Sequence, residues 1–211
     1  EIDRYFAGCL GMTPPTVDEI AALDHVGITR EAVEGWTAGP ADTLDRWRSG
    51  AAGVRAFLRS DAADLRRRIK FHMLDTRAET ALMTRVFELW THVEDIHRAL
   101  GHEPPVVDPE LLHRMSRLAV PALPLGLLLQ GVDLGAHTVR FVLTGAGGGT
   151  FDQGTELGQT AAEPELVVVA DVTEFCRVAG QRLAPEALPC EIEGDADLAS
   201  AVLRGAAAFA S

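Results

Sequence analysis

The segment "DTRAETALMTRVFELWTHVEDIHRALG", residues 75–101, carries the strongest helical pattern in the chain. Its apolar residues alternate in steps of four and three, which is the period of a helix that packs along one side in a bundle. Asp75 is placed to cap the start of this helix, and Gly101 to end it as a C′ glycine. We therefore predict a long helix whose buried seam consists of Leu82, Val86, Leu89, Val93, Ile96 and Leu100.

A polar stripe, Arg85, Glu88, His92 and Asp95, runs along the same predicted helix. At about 100° per residue it lies roughly 100° around the helix from the apolar seam. Glu88 and His92 stand one turn apart, so both side chains can approach one metal ion. Asp95 is placed to orient the His92 imidazole, and Arg85 to pair with Glu88. Polar pairs of this spacing are also common on solvated helix faces, so spacing alone leaves both interpretations open.

A zinc site on this helix would lack a ligand, because three protein ligands are usual and the stripe supplies only Glu88 and His92. His72 precedes the helix in "IKFHML" and is the least implausible donor within the chain. The other candidates are His25, His97, His102, His113 and His137. Each of these is more commonly a surface or packed histidine than a ligand.

The rest of the chain indicates an α+β protein with two domains. Residues 41–60 are amphipathic at helical spacing, and Asp108–Pro109 begins another helix that runs to about residue 129. From about residue 132 the pattern changes to strands: "HTVRFVLTG" alternates, "GAGGGT" is typical of a hairpin turn, and "ELVVVAD" is a buried strand. Two helical segments, "VTEFCRVAGQRL" and "ADLASAVLRGAAAF", complete this part, with Asp171 as a helix cap. We predict a helical domain over 1–130 and a small α+β domain over 131–211.

Composition limits the partners and the compartment. The chain has 211 residues and a net charge of −12, with 19 Lys+Arg against 31 Asp+Glu, which disfavours nucleic acids and anionic membranes. The longest apolar run, 119–129, is too short to cross a bilayer, and no signal peptide opens the chain. Three cysteines, Cys9, Cys176 and Cys190, form no CxxC pair and are expected to be reduced thiols with packing roles. We predict a cytoplasmic protein that acts on a small molecule.

Two segments resemble one known family. "TRVFELWTHVEDIHRALG" is similar to the signature helix of the mycothiol-dependent maleylpyruvate isomerase-like family, matched by Arg85, Glu88, Trp90, His92, Asp95, Ile96 and Ala99-Leu100-Gly101. "PELVVVADVTEFCRVAGQRLAPEALPCEIEGDADLASAVL" resembles its C-terminal, sterol-carrier-protein-like α+β domain. The resemblance implies a DinB-like four-helix bundle over 1–130, followed by the sterol-carrier-like domain over 131–211.

The resemblance also implies a metal site and a thiol cofactor. Its ligands are the Glu and His of the signature helix, Glu88 and His92 here, and a histidine on an earlier helix. That earlier segment would lie ahead of Glu1, so we expect the first bundle helix and the third ligand upstream of this chain; loss of the ligand is the alternative. The family's arginine near the active-site cleft is matched best by Arg182 and next by Arg177, although a helix-end cation is an equally good interpretation of Arg182. Trp90 is expected to pack.

The implied cofactors are a divalent metal, most commonly zinc, and mycothiol. A cation favours thiolate over thiol, and the thiolate is the nucleophile. In the isomerase it adds to the cis double bond of a dicarboxylate, and elimination after rotation gives the trans isomer, while an arginine holds a carboxylate. A thiol transferase would use the same thiolate. Two other classes remain open: a non-catalytic protein that binds an apolar small molecule in its sterol-carrier-like part, and a hydrolase that uses metal-bound hydroxide.

Overall fold

The computed structural model describes residues 30–31, 33–60, 63–71, 74–129, 132, 134–135, 137–154 and 163–207. The candidate donors His25 and His72, together with Cys9, lie outside the described residues. So does the predicted helix tail at residues 1–10.

The described elements follow a mixed order. The helices are α1 (Pro40–Leu58), α2 (Ala78–Ala99), α3 (Pro109–Leu129), α4 (Val172–Ala179) and α5 (Ala196–Ala206), with a 3-10 turn at Pro185–Ala187. The strands are β1 (Arg68–Phe71), β2 (Leu74–Arg77), β3 (Val139–Thr144), β4 (Gly149–Gln153), β5 (Leu166–Asp171) and β6 (Cys190–Gly194). A helical N-terminal part thus precedes a mixed four-stranded sheet with short helices, which confirms the α+β class.

The chain divides into two compact units, Glu1–Leu82 and Met83–Ser211, so the division falls inside α2. The predicted domain boundary after residue 130 stays a prediction, since the units are defined by packing and not by the change in sequence pattern. In the described part of the first unit, a small core forms around Ile69, Phe71, Ala78 and Ala81, with Val54 and Phe57 of α1 packed against it.

The β1–β2 hairpin corrects one prediction. Asp75 was expected to cap α2, but it lies within β2, where it pairs with Lys70 and accepts a 3.0 Å hydrogen bond from Arg68. The helix begins at Ala78 instead. A helical period in the apolar residues locates a helix well but fixes its first turn poorly, because strand pairing with a preceding segment is not visible in that period.

The second unit is built on the sheet β4-β3-β5-β6. Strand β3 runs parallel to β5, and the other two pairs are antiparallel. The glycine cluster forms the β3–β4 turn, as predicted, with Gly145 and Gly147 at positive φ. One face of the sheet is buried by Val139, Phe141, Leu143, Leu166, Val168 and Ala170, and α3, α4 and α5 belong to the same core. Buried and less buried residues alternate along β3 and β5, and this pattern makes the strands recognisable in the sequence.

Aspartates set the starts of the helices in this unit, as local chemistry predicts. Asp108 accepts a 2.8 Å bond from the Glu110 amide, with Pro109 as the first residue of α3. Asp171 accepts from the amides of Thr173 and Glu174, which confirms its predicted role as a cap. An N-cap carboxylate satisfies amides that have no partner within the first turn.

The buried face of α2 differs from the predicted seam. Val93, Ile96 and Leu100 are 38%, 58% and 63% exposed, so this half of the prediction is wrong. Phe87 and Trp90 are buried in their place, with ring centroids 5.7 Å apart, and the expected packing role of Trp90 is confirmed. The face that α2 buries is selected by polar contacts with α4, which a count of apolar residues does not detect.

The decisive polar contact is made by Glu94, whose side chain is only 2% exposed. Arg177 of α4 grips it with two nitrogens, Nε to Oε2 at 3.0 Å and Nη2 to Oε1 at 2.9 Å. Arg98, one turn along α2, donates to Oε2 at 3.2 Å, and Glu174 accepts from Arg177 at 2.5 Å. A buried carboxylate is tolerated only when it is paired and hydrogen-bonded in this way.

We predict that Glu94→Ala lowers the free energy of unfolding by about 3–5 kcal/mol, because it leaves the Arg177 guanidinium partly buried without its main partner. Urea denaturation followed by circular dichroism measures the loss. The matched control is Glu110→Ala, which removes an exposed pair with Arg114 and should change the value by less than about 1 kcal/mol. Equal losses in the two variants would contradict the structural role given to Glu94.

The turn after α4 packs closely against side chains of α2 beside this ion pair. A Cβ on Gly180, the residue after α4, would stand 2.5 Å from the Thr91 methyl and 3.6 Å from the Phe87 ring. The Thr91 hydroxyl donates to the Glu88 carbonyl at 2.8 Å, which fixes the Thr91 side chain. Glycine is therefore required here because there is no room for a Cβ. The backbone conformation does not require it, since φ of Gly180 is an ordinary −84°.

Gly180→Ala is expected to destabilise the protein by about 1–3 kcal/mol through overpacking against Thr91. Gly53→Ala is the control, because a Cβ there meets nothing within 4 Å inside α1. That control should be neutral or stabilising by up to about 1 kcal/mol through helix propensity. Thermal melting of both variants measures the difference; a stabilised Gly180→Ala would show that α2 and α4 have room to separate.

In the part of the chain that the structure describes, none of the helices combines the length and apolar character needed to cross a membrane.

Candidate functional site

The polar stripe of α2 forms two contacts that the sequence predicts. Arg85 donates from Nη1 to Glu88 Oε2 at 3.2 Å, and the Glu88 side chain is 27% exposed. One turn later, Nδ1 of His92 lies 3.4 Å from Oδ2 of Asp95. The His92 side chain is 59% exposed, so it is open to solvent more than Glu88 is. Helix spacing alone explains both contacts, since residues three apart are neighbours on one face.

Arg182 extends the second contact into the C-terminal half. Its Nε donates to Asp95 Oδ1 at 3.0 Å and its Nη2 to Oδ2 at 2.5 Å, in a two-pronged contact. Its Nη1 donates to the Gly180 carbonyl at 2.6 Å, which fixes the guanidinium against its own turn. His92, Asp95 and Arg182 therefore form one continuous polar chain, and we refer to it as the His92 chain.

The hydrogen bonds and charges within the His92 chain favour the ionised form of Asp95. Hydrogen bonds from Arg182 are the main cause that lowers the pKa of Asp95, partial burial opposes them, and the nearby charges of Arg182 and His92 add to the lowering. The same contact raises the pKa of Arg182. An ionised carboxylate beside Nδ1 favours the imidazole tautomer with hydrogen on Nδ1. The lone pair of a neutral His92 is then on Nε2, the arrangement usual for a metal-binding histidine.

The described residues do not form a complete metal site. Glu88 and His92 offer a carboxylate and an imidazole from successive turns of one helix. Among the residues that the structure describes, no group of three or more His, Cys, Asp or Glu side chains converges on one point. The histidines predicted as weaker candidates lie elsewhere: His137 is 2.6 Å from Glu165, and His113 is 3.3 Å from the Gly148 carbonyl.

Arg177, the second candidate for the family arginine, has a structural partner. It holds the buried Glu94, and its hydrogen bonds to Glu94 raise the pKa of Arg177, while partial burial opposes the rise. Sequence reasoning placed Asp95 in the site but overlooked Glu94. The signal was present: Phe87, Thr91, Glu94 and Arg98 share a face at steps of four and three, with a Glu–Arg pair one turn apart.

Arg182 also lines an open groove of about 630 Å³ together with Gln181, Leu183 and Arg204. Gln181 has φ of 57°, a left-handed conformation that is uncommon for residues other than glycine. Glu88 and His92 are not among the residues that line this groove. A second groove of about 190 Å³ shares Pro185 and Glu186 with it. Its lining is mainly apolar and includes Leu188, Ile192 and Leu203.

The described cysteines fit the predicted packing role. Burial raises the pKa of Cys176 to about 12, and its sulfur lies 3.7 Å from the hydroxyl of Ser116. Partial burial also raises the pKa of Cys190. Both are free thiols. Both surroundings disfavour the thiolate, which is the nucleophilic form of cysteine.

Comparison with known proteins identifies no relative. No protein-family model matches the chain, and neither the curated proteins nor the solved structures yield a match. The resemblance to the maleylpyruvate isomerase-like family therefore stays a prediction that rests on the quoted residues.

We predict that Arg182→Ala raises the pKa of Asp95 in the metal-free protein, because it removes the main cause of the lowering. NMR titration of the Asp95 carboxyl carbon measures the change. The pKa of Asp95 in the folded protein is lower than the ordinary pKa of an aspartate. The stabilisation by the Asp95–Arg182 pair is therefore complete at any pH above the ordinary pKa. It is lost as the pH falls through the lowered pKa, below about pH 4. Arg114→Ala should leave the Asp95 titration unchanged; an unchanged Asp95 in Arg182→Ala would contradict the assignment.

Proposed function

We propose that this protein is a metal-dependent enzyme that uses mycothiol, either a cis-trans isomerase like maleylpyruvate isomerase or a thiol transferase. The observation that carries the proposal is the His92 chain. It joins the histidine matched on the signature helix to the arginine matched in the C-terminal part, through a carboxylate that also matches the signature. Two matches that are 90 positions apart in the sequence, His92 and Arg182, are thus part of one contact network.

The donor chemistry of α2 suits a divalent ion of the zinc type. Glu88 supplies a carboxylate and His92 an imidazole whose Nδ1 faces Asp95, as in the carboxylate–histidine pairs that orient metal ligands. We propose that a third ligand from outside the described residues completes the site. A metal held there would favour the thiolate form of a bound thiol cofactor.

The residues around the proposed metal site have separate roles in the proposal. Asp95 orients His92, and Arg182 holds Asp95 in its ionised form. Arg85 neutralises Glu88 in the absence of metal, which limits the cost of a partly buried carboxylate. Arg182 also borders the groove of about 630 Å³, where a guanidinium can meet a substrate carboxylate by hydrogen bonds. The finer fold proposed with this function is a DinB-like bundle followed by a sterol-carrier-like domain.

The test is the metal content of the full-length protein, wild type against His92→Ala. We expect a stoichiometric divalent metal in the wild type and loss of most of it in the variant, because a two-ligand remainder binds weakly. His137→Ala is the matched control, since its side chain is comparably exposed and is paired with Glu165. Elemental analysis of the purified proteins measures the difference.

Turnover assays with and without mycothiol then separate the chemical classes. Dependence on the thiol supports the proposal, whereas metal-dependent hydrolysis without thiol identifies a zinc hydrolase. If both the bound metal and the activity persist in His92→Ala, the proposed metal site is wrong.

A second candidate is a non-catalytic protein that binds a small apolar molecule. The observation in its favour is the groove of about 190 Å³ between β6 and α5, whose apolar lining includes Leu188, Ile192 and Leu203. Ile192 is 45% exposed there, on an edge strand. A wild-type protein without stoichiometric metal that still binds an apolar fluorescent probe would favour this candidate over the enzyme.

A further inference from the structure

Helix α2 ends in a turn that brings two histidines together. The amide of Gly101 donates to the Arg98 carbonyl at 3.1 Å, and the amide of His102 donates to the His97 carbonyl at 2.9 Å. Gly101 has φ of 68°, which a glycine adopts without strain. These are the two bonds and the left-handed residue of a Schellman motif, with His97 at position C3 and His102 at C″.

The side chains at C3 and C″ of this motif commonly make an apolar contact. Here both are imidazoles, whose ring centroids are 6.1 Å apart with the planes inclined at 69°. Two nitrogens that bind one ion at about 2 Å each stand within about 4 Å of each other. Ring centres at 6.1 Å are compatible with that separation, because the nitrogens lie at the ring edges.

The hydrogen bonding of His97 prepares one nitrogen to bind a cation. Nδ1 of His97 lies 3.0 Å from the carbonyl oxygen of Glu103. A carbonyl only accepts, so Nδ1 carries the hydrogen and, in the neutral ring, the lone pair is on Nε2. A histidine that donates its other N–H to a backbone carbonyl is a recurrent feature of metal sites.

The electrostatic surroundings also suit a cation. The last carbonyls of α2 carry partial negative charge, which favours positive charge within the final turn. The guanidinium of Arg98, the residue after His97, donates to Glu94 and to the Arg182 carbonyl. The chain as a whole has a net charge of −12.

We propose that His97 and His102 form a second metal site, for a first-row divalent ion that prefers imidazole, such as Ni²⁺ or Zn²⁺. Water completes the coordination, so this site is weaker than one with three protein ligands. It does not depend on the proposed function, because His97 lies beyond His92 in the last turns of α2 and His102 follows the helix. Neither residue belongs to the proposed catalytic site.

Calorimetric titration of the metal-free full-length protein with Ni²⁺ tests the site. We expect His102→Gln and His97→Gln each to weaken the low-affinity binding by about tenfold or more, as loss of one of two ligands requires. His137→Gln is the matched control and should bind as the wild type does. Melting temperatures without metal check that each variant is folded, and His102 is an exposed position where glutamine disturbs little.

The outcomes separate this site from the proposed catalytic one. His92→Ala should keep the low-affinity Ni²⁺ site while it loses the tightly bound metal, and His102→Gln should do the reverse. Histidine ring NMR signals that broaden at both His97 and His102 on addition of Ni²⁺ support a shared ion. Wild-type Ni²⁺ binding in both glutamine variants overturns the proposal, and so does a loss confined to one of them, because a single imidazole would then account for the binding.

Discussion

A buried carboxylate joins α2 to α4 in the second unit. Glu94 is almost completely removed from water, and its charge is balanced by the guanidinium groups of Arg177 and Arg98. The desolvation of such a group is large, and only paired, well-directed hydrogen bonds offset it. The position of Arg177 on α4 therefore constrains the rotation of α2 about its axis, together with the burial of Phe87 and Trp90. Once that rotation is set, Phe87 and Thr91 meet Gly180 and the core, and Asp95 meets Arg182.

The same constraint explains the polar side of α2. Glu94 and Asp95 are consecutive residues, so they point about 100° apart around the helix. One enters the interface with α4 and the other reaches the turn after it, where Arg182 is held by the Gly180 carbonyl. His92 contacts Asp95 as a consequence. A structural ion pair and a candidate functional chain thus share one short segment of α2 and one short segment after β5.

The rotation of α2 also explains why some of its apolar residues are exposed. Val93, Ile96 and Leu100 have the spacing of a buried seam, yet they are exposed because the opposite face supplies Glu94 to Arg177. At the end of this helix, the turn at Gly101 is independent of tertiary contacts. Its two backbone bonds place His97 beside His102 by local geometry alone.

Local features were determined by the sequence alone. Four of them depend on residues within a few positions of each other: the caps Asp108 and Asp171, the proline at the start of α3, the glycine turn between β3 and β4, and the end of α2 at Gly101. The Arg85–Glu88 and His92–Asp95 contacts were predictable for the same reason. Tertiary structure alone decided where α2 begins, because the residues predicted as its first turn pair as strand β2. It also decided which face of α2 is buried. It also decided the partner of Arg182, because an ion pair between residues 87 positions apart leaves no periodic trace in the sequence.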